Sequence, residues 1–125
     1  MIDILISNYI DIVSIILYGI GFTTLLVDRN LVKKVIGLNI SYAAVYLLLG
    51  SKGYVSGRIA PIIVDGVQDA SLYVNPIPSG LILTGIVISV SVTAFAIALI
   101  IDLYNRFHTL NLDEIMLKVS QEKEE

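Results

Sequence analysis

From Ala70 to Ile101 the chain runs 32 residues without a charged side chain. No other feature restricts the fold as much. A hydrophobic stretch of about 18 or more residues without charges reads as a membrane-spanning helix. Pro76 and Pro78 open it, and Pro78 suits a first helical turn, where its missing N–H has no intrahelical partner anyway. Pro78 to Leu103 is 26 residues. That is about 39 Å of helix at ~1.5 Å per residue, enough to cross a hydrocarbon core of about 30 Å with some tilt.

The rest of the chain agrees with a membrane setting. Of its 125 residues, 56% are hydrophobic and only 15% charged, and the mean hydropathy is +0.85. Gaps between the charges predict two more spans, from about Asn8 to Val27 and from about Val32 to Gly50. The first has no basic segment before it and no small-x-small cleavage site after it, so it reads as a retained helix. The expected fold is an all-α membrane protein, a single three-helix membrane domain over residues 1–125, with a tail at 104–125. Asp28 to Leu31 is a short link, so the first two spans should form an antiparallel hairpin.

Charge predicts the orientation. Arg29, Lys33, Lys34, Arg106, Lys118 and Lys123 fall on one side of the three spans, and Lys52 and Arg58 on the other. The positive-inside rule then puts the N-terminus outside and the tail in the cytoplasm. The loop from Ser51 to Asn75 carries an apolar patch, Ile59 to Val64, suited to a partner surface or to lipid headgroups. In the tail, Asn111 with Glu114 three residues on forms a helix start, and Leu112, Ile115, Met116 and Val119 share an apolar face. That makes a short amphipathic cytoplasmic helix, with the last residues expected to be disordered.

Helix faces name the candidate residues. On the third span, Gly80, Thr84, Ser91, Ala94 and Ala98 share one face, and Gly85, Ser89, Thr93 and Ala96 the opposite one. Small residues let membrane helices approach closely. Two such stripes predict a helix between two neighbours, from this chain or from another. The second span gathers Asn39, Tyr42, Ala43, Tyr46 and Gly50 on one face, and the first gathers Asp11, Ser14, Tyr18 and Gly21. Each polar stripe reads either as a hydrated wall or as interhelical hydrogen bonding, and for the tyrosines also as interfacial anchoring. Candidates for ion-path lining are Asn39, Tyr42, Tyr46, Thr84 and Ser91. Candidates for helix packing are Gly80, Gly85, Ser89, Thr93 and Ala96.

Several function classes are excluded. There is no cysteine, so no thiolate chemistry. No Asp, Glu, Lys, Arg or His lies in the middle third of any span, so this chain alone holds no central proton carrier. No nucleophile–base pair, metal-ligand cluster or phosphate-binding glycine loop is present, and no basic patch suits a nucleic acid. The chain reads as no enzyme by itself, with no cofactor, and with the lipid bilayer as its surroundings.

The segments Asn30-Leu31-Val32-Lys33-Lys34-Val35-Ile36-Gly37-Leu38, Asn75-Pro76-Ile77-Pro78-Ser79-Gly80-Leu81-Ile82-Leu83-Thr84-Gly85-Ile86-Val87-Ile88-Ser89 and Asn111-Leu112-Asp113-Glu114-Ile115 together resemble one family. It is the three-helix C subunit of Mrp-type multisubunit sodium/proton antiporters, related more distantly to the K subunit of respiratory complex I. The second segment is similar to that family's Asp-Pro-Leu-Pro-Gln-Ala-Leu-Val-Leu-Thr-Ala-Ile-Val-Ile signature, which is long and specific. The resemblance covers most of the chain. It implies partners among other membrane subunits, including a large antiporter-like subunit. Archaeal membrane-bound hydrogenases and sulfur-reducing complexes embed the same module and are compatible hosts.

The departures matter too. Asn39 stands where the complex I subunit has a glutamate, and that subunit's third-helix glutamate has no counterpart here, so its proton-relay role does not carry over. Asn75, Ser79 and Gly80 replace the Asp, Gln and Ala usual in the antiporter subunit. Two readings follow. In one the chain contributes packing and polar lining to Na+/H+ translocation. In the other it links an antiporter-like module to a membrane-bound oxidoreductase without touching the ion. A stand-alone homo-oligomeric transporter is disfavoured, since three spans give no inverted repeat.

Overall fold

In the computed structural model, residues 1–63, 66 and 68–125 are described. Among these described residues five α-helices follow in order: α1 Ile2–Ser7, α2 Tyr9–Val27, α3 Leu31–Gly53, α4 Ile77–Phe107 and α5 Leu112–Glu124. A 3-10 turn at Ala70–Leu72 lies in the α3–α4 loop. Helices α2, α3 and α4 are long and apolar enough to cross a membrane. Among the described residues the buried hydrophobic side chains are Ala44, Ile100, Phe107 and Ile115. Such a sparse interior cannot hold a fold together in water. Phe95, at 67% exposed, and Leu83, at 66%, belong against lipid or other subunits.

The three long helices lie in a row with α3 in the middle. One face of α3 buries Gly37, Ser41 and Ala44 against α2, which answers with Ser14 and Gly21. The first span's polar stripe is therefore largely its interface with α3. The opposite side of α3 meets the face of α4 formed by Ile82, Gly85, Ser89, Thr93, Ala96 and Ile100, each at least half-buried. So only one of the two small-residue stripes on α4 is covered by this chain. Gly80, Thr84, Ser91, Ala94 and Ala98 are all exposed.

Each helix end has an identifiable cause. Asn8 breaks α1 from α2 at φ −112°, ψ 20°. Asn30 Oδ1 accepts from the N–H of Val32 at 3.0 Å and caps α3. Lys34 Nζ donates to the Leu25 carbonyl at 2.7 Å, satisfying an orphan acceptor at the end of α2. Pro76 is the N-cap of α4, with Pro78 in its first turn. At the other end α4 runs past Asp102 and Arg106, stopping where His108 turns left-handed at φ 55°.

Helix α5 folds back onto the α2–α3 turn. The Leu31 N–H donates to the Leu110 carbonyl at 3.0 Å, and the Leu112 N–H to the Arg29 carbonyl at 2.9 Å. This short antiparallel bridge joins two turns that each carry an Asn-Leu helix start. Arg29 also pairs with Asp113. Ile115 is buried, Leu112 and Val119 are half-buried, and Met116 is 62% exposed, so the predicted apolar face is only partly covered. Glu114 accepts from the Thr109 hydroxyl at 2.6 Å instead of closing a capping box on Asn111. The tail's end is helical through Glu124 rather than disordered, because Arg106 pairs with Glu122 at 2.7 Å and Lys118 Nζ donates to the Phe107 carbonyl at 2.6 Å. Asn111→Ala, which removes the bond from the Asp113 N–H, should cost about 1 kcal/mol of local stability. Tryptic cleavage after Lys118 should rise roughly fivefold; unchanged cleavage would show that the cap does not hold the tail.

In the α3–α4 loop, the Ile59 N–H donates to the Leu72 carbonyl at 2.9 Å and the Val74 N–H to the Ile59 carbonyl at 3.0 Å. The Ser71 hydroxyl and N–H, both donating to Asp69, hold its carboxyl below the usual carboxylate range. Ile59, Ile62 and Ile63 of the predicted apolar patch are exposed, and Val64 lies outside the described residues.

Candidate functional site

The polar groups at membrane depth concentrate on the seam between α3 and α4. Tyr46 reaches across it, and its hydroxyl donates to the Gly85 carbonyl at 2.5 Å. The ring lies so close that a Cβ on Gly85 would sit 2.5 Å from Tyr46 Cε1. Tyr42 stacks on Tyr46 with centroids 6.4 Å apart and planes 13° from parallel. Nearer the α2–α3 turn, Asn39 Oδ1 accepts from the Thr93 hydroxyl at 2.7 Å. Thr93 is about three residues from the midpoint of the Pro78–Leu103 stretch, so this bond lies within ~5 Å of the middle of the span. At the loop end Gly53 makes room for Pro78, whose Cβ would be 2.8 Å from a Cβ there.

This seam brings together Asn39, Tyr42 and Tyr46, along with Gly85, Ser89, Thr93 and Ala96 of the packing set. It does not gather Thr84 and Ser91, which occupy the outer face of α4 with Gly80. Their hydroxyls donate to their own helix, Thr84 to the Gly80 carbonyl at 3.0 Å and Ser91 to the Val87 carbonyl at 2.9 Å. Such back-bonding shields a hydroxyl from hydrocarbon. Gly80 has nothing within 4 Å of where its Cβ would be.

The charges stay at the ends. Asp11 accepts from Ser51 Oγ at 2.9 Å and pairs with Lys52 at 2.5 Å, tying the start of α2 to the end of α3. These groups border an open cavity of about 630 Å³ that also touches Asn8 and Tyr54. Lys33 lies 3.9 Å from Asp28 at the opposite end. Pairs as exposed as these contribute about 0–1 kcal/mol each. What sequence reasoning missed is the α2–α3 crossing, where Gly21 and Gly37 bring the two backbones into contact. A signal was present: Gly37 and Ser41 are four apart, the small-xxx-small spacing of close helix pairs.

A row of three apolar helices with polar bonds on its inner seams defines a multi-pass membrane protein built to sit among other helices. Residues 9–119 match the family of NADH-ubiquinone/plastoquinone oxidoreductase chain 4L. The C subunit of the Na(+)/H(+) antiporter of Bacillus subtilis (strain 168) is 32% identical over 108 residues, covering 84% of this chain and 93% of that protein. The chain belongs to the chain 4L family and is of the antiporter C-subunit type. Among solved structures, a chain of the membrane-bound sulfane sulfur reductase, an archaeal respiratory membrane complex, is 48% identical with a TM-score of 0.76. That match covers 84% of this chain and 94% of the other. A chain of the Mrp complex from Dietzia sp. DQ12-45-1b is 29% identical with a TM-score of 0.61, covering 74% of this chain and 69% of that one.

Proposed function

We propose that this chain is a small, non-catalytic membrane subunit of an Mrp-like cation/proton antiporter module, and that its partners are the other membrane subunits of that assembly. The observation that carries the reading is the Asn39–Thr93 bond near mid-membrane, in a family whose Bacillus subtilis relative is named as the C subunit of an antiporter. The chain offers polar groups at that depth but no carboxylate, amine or imidazole, so the groups that take up and release protons belong to larger partners. Its share is helix packing and polar lining, with Asn39, Tyr42 and Tyr46 on the seam. Thr84 and Ser91 would line a path only on the far side of α4. The N-terminus faces outside and the tail lies in the cytoplasm, a topology supported by six basic residues on one side against two on the other.

Asn39→Leu tests the lining role in membrane vesicles containing the assembled complex. Cation-coupled proton movement should fall roughly three- to thirtyfold, the range that a membrane hydrogen bond of about 0.6–2 kcal/mol converts to. The complex should still assemble. Normal transport in that variant would remove Asn39 from the path. A second reading has its own support: 48% identity to a chain of the sulfane sulfur reductase complex favours a respiratory host, in which this subunit links an antiporter-like module to an oxidoreductase. In that case Asn39→Leu would leave ion movement unchanged.

A further inference from the structure

Asn39 leaves most of its hydrogen-bonding capacity unused. Its Oδ1 is taken by the Thr93 hydroxyl at 2.7 Å. Asn39 is exposed on its helix, and its two Nδ2 hydrogens have no acceptor among the described residues. Beside them a groove of about 420 Å³ opens on one flank of the α3–α4 seam, lined by Asn39, Ser89, Val90, Thr93, Ala94 and Ile97. The other two polar side chains in it have spent their hydrogens: Thr93 on Asn39, and Ser89 on the Ile86 carbonyl at 2.9 Å. The groove therefore presents one unsatisfied donor group in an otherwise apolar wall. Acyl chains supply no acceptor at membrane depth, and an amide hydrogen left unpaired against them is costly.

We infer that this groove seats a transmembrane helix of another subunit, and that this helix carries a carboxylate or amide oxygen that accepts from Asn39 Nδ2. A second copy of the chain fits poorly. It has no carboxylate in the middle third of any span, and the one amide there, Asn39 itself, already has its oxygen engaged by Thr93. Lipid fits the shape of the groove but not its donor. The small residues Ala94 and Ser89 in its lining suit close approach of a helix. The inference rests on the membrane-subunit reading above and adds the partner's chemistry at one position.

The test is site-specific photocross-linking in the full assembly in its native membrane. A benzophenone side chain replaces Val90 or Ile97 in the groove, and Phe95, exposed elsewhere on α4, as a control. The expected result from the groove positions is a cross-link to a transmembrane peptide of a different subunit, with an Asp, Glu, Asn or Gln within one helical turn of the linked residue. Asn39→Ala removes the donor without adding a new acceptor or bulk, and should lower that cross-link several-fold while the Phe95 products stay the same. Adducts to lipid only, or to a second copy of this chain, would overturn the inference. So would a partner cross-link indifferent to Asn39→Ala. A cross-linked partner unrelated to antiporters would leave the inference standing and overturn the proposed function instead, so the two fail separately.

Discussion

Gly21→Ala will separate the first two spans. A Cβ at position 21 would lie 2.6 Å from Ser41 Oγ, 2.7 Å from the Ser41 backbone nitrogen and 2.8 Å from the Gly37 carbonyl oxygen. Two of those three atoms belong to the backbone of α3, so no rotamer change can clear them. Gly37→Ala meets the same wall from the other side, with the Gly21 carbonyl oxygen at 2.8 Å and the Leu25 nitrogen at 2.9 Å. Either methyl forces α2 and α3 apart along a line where their backbones touch. Overpacking of this kind costs about 1–3 kcal/mol, and each variant should sit at the upper end, since the helices move as rigid units. Gly19→Ala is the control: nothing lies within 4 Å of its Cβ, and alanine is the better helix former. Thermal unfolding of the detergent-purified protein should show Gly21→Ala and Gly37→Ala melting well below the parent, and Gly19→Ala melting at or above it. Equal melting of all three would mean that the α2–α3 crossing is not where the structure has it.

The second large effect is at the α3–α4 seam. Gly85→Leu drives a branched side chain into the Tyr46 ring and pushes the Tyr46 hydroxyl off the backbone carbonyl of residue 85. Here the obstacle is a side chain, so the ring can swing out. The cost is then lost packing plus a lost hydrogen bond, rather than a backbone collision. Tyr46→Phe separates the two parts, because it keeps the ring and loses only the bond, worth about 0.6–2 kcal/mol in a membrane. The order of stability should be parent, Tyr46→Phe, Gly85→Leu. Limited proteolysis of the 51–75 loop is a sensitive readout, since α4 is fixed at its start partly by Pro78 against Gly53. If Gly85→Leu is no worse than Tyr46→Phe, the close approach of the ring contributes nothing.

The membrane fold was largely legible because charge and hydropathy report on the bilayer directly. The 32-residue gap, Pro78 in the first turn and the short link after Val27 all correspond to features of the structure. Other boundaries were not legible. Counting charges stops the third span at Leu103, but a helix does not end where its residues become polar. It ends where the backbone turns, and the left-handed His108 that turns it has no advance signal of that kind. The site was legible in part. Angular sorting put Gly85, Ser89, Thr93 and Ala96 on one face correctly, but could not say which face meets α3. It also could not say which helix is central. Two small stripes predicted a third span between two neighbours, from this chain or another; within this chain α3 covers one stripe, and the helix packed on both sides is α3. The Gly21–Gly37 contact depends on the register between two helices, which no single-helix projection contains. The Asn39–Thr93 bond likewise joins residues 54 apart in sequence.

Membership of a larger antiporter-like assembly is tested most directly by mild-detergent purification of the tagged chain from its native membrane, with mass spectrometry of everything that accompanies it. Large antiporter-like membrane subunits should be found in stable association with it. If iron–sulfur oxidoreductase subunits accompany them, the host is a respiratory complex of the kind the sulfane sulfur reductase represents; if they do not, it is a dedicated antiporter. Recovery of the chain by itself, with its apolar surface covered by detergent alone, would contradict the proposed function.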